Sequence, residues 1–213
     1  MININAFDEF GFILWYYAPV AYHHHLNDKL NSTKSKVGTL PVFYFSKNHI
    51  EEPKHFDPPL LQRILHPIEH YTSCYTHNGP KFINHNWTPP PYKESFKNDT
   101  YIFDKPLLTI HNKNTKEWLL HPHNYFNSEI LEKIINTFKN DYQIVYIRPP
   151  DNPDKFKLQR DIGQTTINIG DKEVLKRHSE VIDIEDLLKN SNKSYNDIQF
   201  MLLNLNGYNL SFM

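Results

Sequence analysis

One stretch constrains the fold more than any other. Pro106–His111 and Tyr142–Arg148 are short apolar runs of the kind that form buried strands, and a helix pattern lies between them. There Asn127 and Ser128 offer an N-cap, and Ile130, Leu131, Ile134, Ile135 and Phe138 follow at spacings that share one face. Strand, helix, strand with short joints predicts two parallel strands and a crossover helix over 128–139. The pattern then continues. Lys172–His178 reads as a helix, Val181–Ile184 as a short strand and Ser194–Asn206 as a final helix that Gly207 is placed to stop. The closing Tyr208–Met213 begins a further strand.

The first half is less regular. Gly11–Tyr17 is aromatic and β-prone, with Ala18-Pro19 ending it, and Leu40–Ser46 reads as a buried strand. The polar stretch Asn27–Lys36 between them reads as a loop. Strands at about 40–46, 106–111 and 143–148 are expected to be central and mutually parallel. From Pro53 to Tyr101 only a short helix at Pro59–Leu65 is visible, and so long an irregular stretch is more often functional than a free linker.

Composition closes off several classes. With 23 Lys+Arg against 24 Asp+Glu the net charge is −1, so the basic field of a dedicated nucleic-acid binder is missing and no nucleic-acid partner is expected. Apolar residues at 39% suffice for a core. The single cysteine, Cys74, excludes an internal disulfide framework and fits a reducing compartment. The start of the chain carries Asp8 and Glu9 where a secretion signal has Lys or Arg, and Phe10–Val20 is too short an apolar run to span a bilayer. A soluble, cytoplasmic protein without a transmembrane segment is therefore expected.

Motif chemistry is sparse. No G-x-x-x-x-G-K-[ST] or G-x-G-x-x-G occurs, and serine-hydrolase, kinase and zincin signatures are missing. The groups His23-His24-His25 and His121-Pro122-His123 lack the further converging ligands that a zinc site needs, so no metal site is expected. Asp183-Ile184-Glu185 reads better as a helix cap than as a cation ligand. Pro89-Pro90-Pro91-Tyr92 fits the P-P-x-Y ligand type of polyproline recognition, but reads better as a rigid turn if its aromatic residues are buried.

Two polar clusters stand beside strands. Asn48, His49 and Glu51 follow the 40–46 run, and Asn112, Lys113, Glu117 and Trp118 follow the 106–111 run. Arg148 ends the third strand. In open α/β sheets ligands bind in the crevice beyond the carboxyl ends of the strands, which makes these residues the candidate site.

Several strings occur in order that together carry a resemblance. They are Phe45–His49, Trp87–Tyr92, Lys105–Trp118, Tyr142–Pro149, Val181–Leu188 and Ser194–Gln199. The chain resembles a group of glycosyltransferase-like proteins from bacteria and large DNA viruses, similar to fucosyltransferase-like GT-B enzymes, over about residues 10 to 206. The resemblance implies a Rossmann-like, mostly parallel sheet with flanking helices, like the N-terminal half of a GT-B enzyme. The whole of 1–213 then reads as one such domain, with an irregular insertion at about 53–101. A Gly-rich donor-binding turn that such proteins carry after the final helix has no counterpart here, so the chain is expected to lack a C-terminal donor half and to be inactive alone. That half would be supplied by a second chain or by a missing segment.

Under this reading a nucleotide sugar is the donor, a glycan is the acceptor and no other cofactor is expected. Transfer needs a base for the acceptor hydroxyl and cations or dipoles for the departing diphosphate. His49 and Glu51 are the candidate catalytic bases. Arg148 and Lys113 are candidates to face phosphate, and Asn48, Asn112, Glu117 and Trp118 to bind substrate sugar. The alternative reading is a non-catalytic domain that binds a glycan or protein through Trp87–Tyr92.

Overall fold

The computed structural model describes residues 1–7, 10–53, 88–98, 100–113, 115–116, 125–152, 155–156, 165–202, 204–205 and 207–211. The chain divides into two compact units, 1–90 and 91–213. Each has its own parallel sheet, three-stranded in the first and four-stranded in the second. The expected helix at 59–65 lies outside the described residues.

In the first unit β1 (Ile2–Ala6), β2 (Leu30–Lys36) and β3 (His49–Glu52) pair in that order. The expected strand at 11–17 is helical. A short α1 (Phe10–Phe12) leads into a π-helical stretch, Ile13–Tyr17, and then α2 (Ala18–Leu26). Pro19 occupies the first turn of α2, where a residue without an N–H is tolerated, and the wide π register directly before it absorbs the break in the ladder. Ile13, Ala18, Val20 and Ala21 are buried with Ile4 and Ala6 of β1. An aromatic run of this length fits helix or strand, and packing decided.

The expected loop at 27–36 is instead largely the central strand β2. Its inward residues are polar: Thr33 and Ser35 are buried. Ser35 Oγ donates to the Ala6 carbonyl at 2.6 Å, so the hydroxyl is satisfied inside. The expected strand at 40–46 is a series of turns, with Val42 N–H bonded to Thr39 O and Ser46 N–H to Phe43 O. Pro41 cannot donate to a ladder. Val42, Phe43 and Phe45 still fill the core.

The second unit follows the sequence more closely. It holds β4 (Leu107–His111), α4 (Ser128–Phe138), β6 (Gln143–Ile147), α5 (Asp171–Arg177), β8 (Ile182–Asp183), α6 (Ile184–Lys189), α7 (Tyr195–Leu202) and β9 (Gly207–Ser211). A helical turn, α3 (Tyr92–Ser95), opens the unit, and a small antiparallel pair, β5 (Thr115–Lys116) with β7 (Thr165–Thr166), lies apart from the main sheet. Asn127 caps α4 as expected, its side chain accepting from Ile130 N–H at 2.9 Å. Asp183 caps α6 through Glu185 N–H at 3.0 Å. Ser194 and Asp197 cap α7 reciprocally.

The main sheet runs β8-β6-β4-β9, so its four strands lie in chain order 3-2-1-4, all parallel. Alternate residues of each strand face opposite layers. Leu108, Ile110, Ile144 and Tyr146 pack with Leu131 and Ile135 of α4 and Val174 of α5. Leu107, Val145 and Ile147 pack with Ile184 and Leu188 of α6 and Tyr195, Ile198 and Leu202 of α7. Crossovers of one hand put helices on one face while the chain steps one way across the sheet, and on the other face when it steps back. The reversal falls between β4 and β9.

One further expectation is corrected here, and the closing strand expected after the final helix is found. The 40–46 segment belongs to no strand and lies in the first unit, so it is not a neighbour of β4 in the sheet. The closing segment is paired: β9 lies against β4 from Leu107↔Gly207 to His111↔Ser211 within one chain. Tyr208 is 68% exposed and meets Tyr142 edge-on. No helix among the described residues is long and apolar enough to cross a membrane.

Candidate functional site

The carboxyl ends of the strands in the second unit gather several of its buried polar side chains. At the end of β4, Asn112 is 4% exposed. Its Nδ2 donates to Phe126 O at 2.9 Å, and its Oδ1 accepts from Phe126 N–H at 2.8 Å and from Lys113 N–H at 3.2 Å. Its backbone N–H bonds Ile147 O of β6 at 2.8 Å. The side chain thus ties the start of the 112–126 connection to its end. A buried amide with its bonds met in this way is a positioning group, and its sugar-binding role recedes.

Arg148, directly after β6, is 3% exposed and enclosed by acids. Its Nη1 donates to Asp151 Oδ1 at 3.1 Å, its Nε lies 3.5 Å from Asp171 Oδ2, and its Nη2 lies 3.7 Å from Asp183 and 3.6 Å from Glu185. Burial works against the guanidinium charge, but Asp183, then Asp151 and Asp171, outweigh it and hold its pKa above the ordinary value. The surrounding groups are fixed in turn. Tyr146 Oη donates to Asp171 Oδ2 at 2.8 Å, and Asp151 N–H to Glu185 Oε1 at 2.8 Å. Burial, and then the Asp171 charge, push the Tyr146 phenol upward, so it remains a donor. Burial also raises the Asp183 carboxyl. Lys172 pairs with Asp151 and is the first cause of that carboxyl's lowered pKa.

This arrangement ties the end of β6 to the start of α5 and to the β8–α6 junction. A phosphate entering it would meet carboxylates on several sides. Arg148 therefore acts as an internal pin, and the expected phosphate contact is not carried forward for it. Sequence reasoning singled out Arg148 and the Asp183–Glu185 cap but missed Asp151, Asp171 and Tyr146. The available signal was that an Arg ending an apolar strand needs acids in order to be buried.

In the first unit Asn48, His49 and Glu51 come together at β3, and each holds a neighbouring segment. Asn48 Nδ2 donates to Asn31 O at 2.9 Å. Glu51 Oε1 accepts from Leu40 N–H at 2.6 Å. His49 has Nδ1 2.8 Å from Thr33 Oγ1 and Nε2 3.3 Å from Thr39 Oγ1, and its ring stacks on Phe43 at 5.0 Å. Burial lowers its pKa to about 4. A base so weak, with both nitrogens against hydroxyls, is poorly matched to deprotonating an acceptor near neutrality.

The His49 titration is directly checkable. With a folded pKa below the ordinary 6.5, the unfolded chain binds the proton first as pH falls. The stability contribution of neutral His49 is then complete above about pH 6.5 and declines as pH drops toward about 4. The His49 ring resonance followed by NMR is expected to titrate near 4. A midpoint near 6.5 would mean that the ring is solvated and available.

Lys113 is half-buried at the end of β4. Glu117, Trp118 and Trp87 lie outside the described residues, as does the His121–His123 pair. Tyr92 stacks on Phe200 with centroids 4.8 Å apart and begins α3, while Pro91 has ψ 70°, away from polyproline geometry. Tyr92 is half-buried, and Trp87, on whose burial the rigid-turn reading also rests, lies outside the described residues. His25 packs against Tyr22 and Phe45, and no group of three potential metal ligands converges among the described residues. Comparisons of the chain with protein families, with curated proteins and with solved structures find no match.

Proposed function

We propose that this chain is a glycosyltransferase-like protein whose 91–213 unit is Rossmann-like and, in place of the separate donor half expected from the resemblance, itself takes a nucleotide sugar in the crevice between the carboxyl ends of β4 and β9. The observation that carries the reading is the 3-2-1-4 strand order with its reversal between those two strands. At such a reversal the connections leave on opposite faces and a gap opens beyond the strand ends, which is where open α/β sheets bind ligands. His111, Asn112 and Lys113 follow directly there on β4, and Asn112 fixes the base of the adjoining connection.

Lys113 supplies the cation for the diphosphate in this proposal. Arg148 supports the site from within, and the acceptor is a glycan. The acceptor base is left unassigned, because His49 and Glu51 are engaged in holding the Thr39–Leu40 turn. A cytoplasmic setting belongs to the same reading and rests on the single cysteine. The interaction-domain alternative draws less support, since the Tyr92 ring is stacked on Phe200.

The test is calorimetric titration with a panel of nucleoside diphosphate sugars. At least one is expected to bind, and Lys113→Ala to weaken it about tenfold or more, the usual scale of a lost charge-assisted hydrogen bond. Absence of binding across the panel, or binding indifferent to Lys113→Ala, would count against the proposal.

A further inference from the structure

The main sheet of the 91–213 unit ends on β8 at one side and on β9 at the other. The two edges differ. β8 is two residues long and carries Asp183, and shortness and charge are how native sheets blunt an edge. β9 has five residues, Gly207-Tyr208-Asn209-Leu210-Ser211, with neither a charge nor a proline among them. One side of its backbone pairs with β4, and no described strand lies on the other. An edge of that length and composition offers main-chain donors and acceptors to another strand and has no charge to repel one.

The surface beside this edge is apolar. Among the described residues of the unit the exposed large apolar side chains are Ile102, Ile130, Phe138 and Tyr208, and the last three gather here. Ile130, Ile134 and Phe138 recur four residues apart along α4, so they share one face. The Phe138 ring meets Tyr142 edge-on at 5.9 Å, and Tyr142 meets Tyr208 edge-on at 5.9 Å, which carries the row from the helix onto β9. A continuous apolar row alongside an open strand edge marks an interaction surface.

The edge fixes the form of the partner as another strand, and its chemistry points to a second copy of this chain. Antiparallel pairing of β9 with its counterpart is isologous: a two-fold axis through Asn209 sets Gly207 opposite Ser211 and Tyr208 opposite Leu210, so that all five residues pair. The strand brings no like charges across that axis, and a net charge of −1 leaves little repulsion between whole copies. The axis runs perpendicular to the sheet, so both apolar rows fall on one face and the two Tyr208 side chains become diagonal neighbours there. We infer that this chain associates with a second copy through the outer edge of β9, joining the two main sheets into one. The contact is small, and a dissociation constant of about 10–100 µM is expected.

The experiment is sedimentation velocity on the full chain at concentrations from about 5 to about 500 µM, which bracket that constant. The mean mass is expected to rise from that of one chain toward that of two. Tyr208→Lys sets like charges diagonally across the axis and should weaken association about tenfold or more. Tyr208 is largely exposed, so this variant keeps its fold, which circular dichroism checks. Asn209→Cys, in a chain whose Cys74 is replaced by Ser, should cross-link copies under mild oxidation, because the axis brings the two Cα atoms to about 4.5–5.5 Å. Asn136→Cys, exposed on α4, should not. A single-chain mass at every concentration, association indifferent to Tyr208→Lys, or cross-linking of Asn136→Cys as ready as that of Asn209→Cys would overturn the assignment.

Discussion

Replacing Arg148 with Met is expected to destabilise the 91–213 unit by about 3–5 kcal/mol, the usual scale when one partner is removed from a buried ionic network. Met fills much of the same volume, so the loss is electrostatic. Asp171 and Glu185, which are buried, and the half-buried Asp183 would keep their charges without the guanidinium that balances them. Their folded pKa values would then lie above the unfolded ones, and the native state would gain protons as pH falls. The deficit against wild type should therefore shrink between about pH 7 and about pH 4.5 in urea titrations. Combining Arg148→Met with Asp171→Asn, Asp183→Asn and Glu185→Gln should recover a large part of the loss at neutral pH. A deficit that is constant with pH and unrelieved by the neutral partners would show that Arg148 contributes packing alone.

The second large effect concerns Gly207, where β9 begins. A Cβ built at this position overlaps the Leu107 carbonyl of β4, which is backbone and cannot swing aside. Gly207→Ala should force the start of β9 off its neighbour, at a cost of about 1–3 kcal/mol or more from overpacking. Amide hydrogen exchange should speed up along Gly207–Ser211 and along the β4 positions that pair with it. Gly11→Ala provides the control. It sits in α1 with nothing within 4 Å of the new methyl group, so it should be neutral or slightly stabilising. Equal effects from the two substitutions would contradict the close approach of β9 to β4.

How far the sequence led differs between the two units, for physical reasons. In the second unit apolar periodicity and burial coincide. Leu131 and Ile135 of α4 are buried where the pattern puts them, while Ile130 and Phe138 of the same set are exposed, and the strands Leu107–His111 and Gln143–Ile147 are apolar because both faces of the sheet are covered. In the first unit they part company. Thr33 and Ser35 point inward on β2 because hydrogen bonds to His49 and Ala6 satisfy them, and a hydrophobicity reading passes over such a strand. The apolar run at 40–46 is buried without being extended, since Pro41 and the bonds around Thr39 favour turns. At the site, Arg148 stood out by its place after a strand. Asp171 and Asp183 reach it only through the crossovers, and no local spacing announces such contacts.

The central claim is that the reversal between β4 and β9 makes a ligand crevice. The most direct measurement is a ¹H–¹⁵N correlation spectrum recorded while the nucleotide sugar that binds in calorimetry is added. The account predicts that the largest shifts fall on the amides of His111, Asn112 and Lys113 and on those of Leu210 and Ser211 at the carboxyl end of β9. Shifts centred on His49 and Glu51 or on the acids around Arg148, with β4 and β9 unmoved, would contradict it.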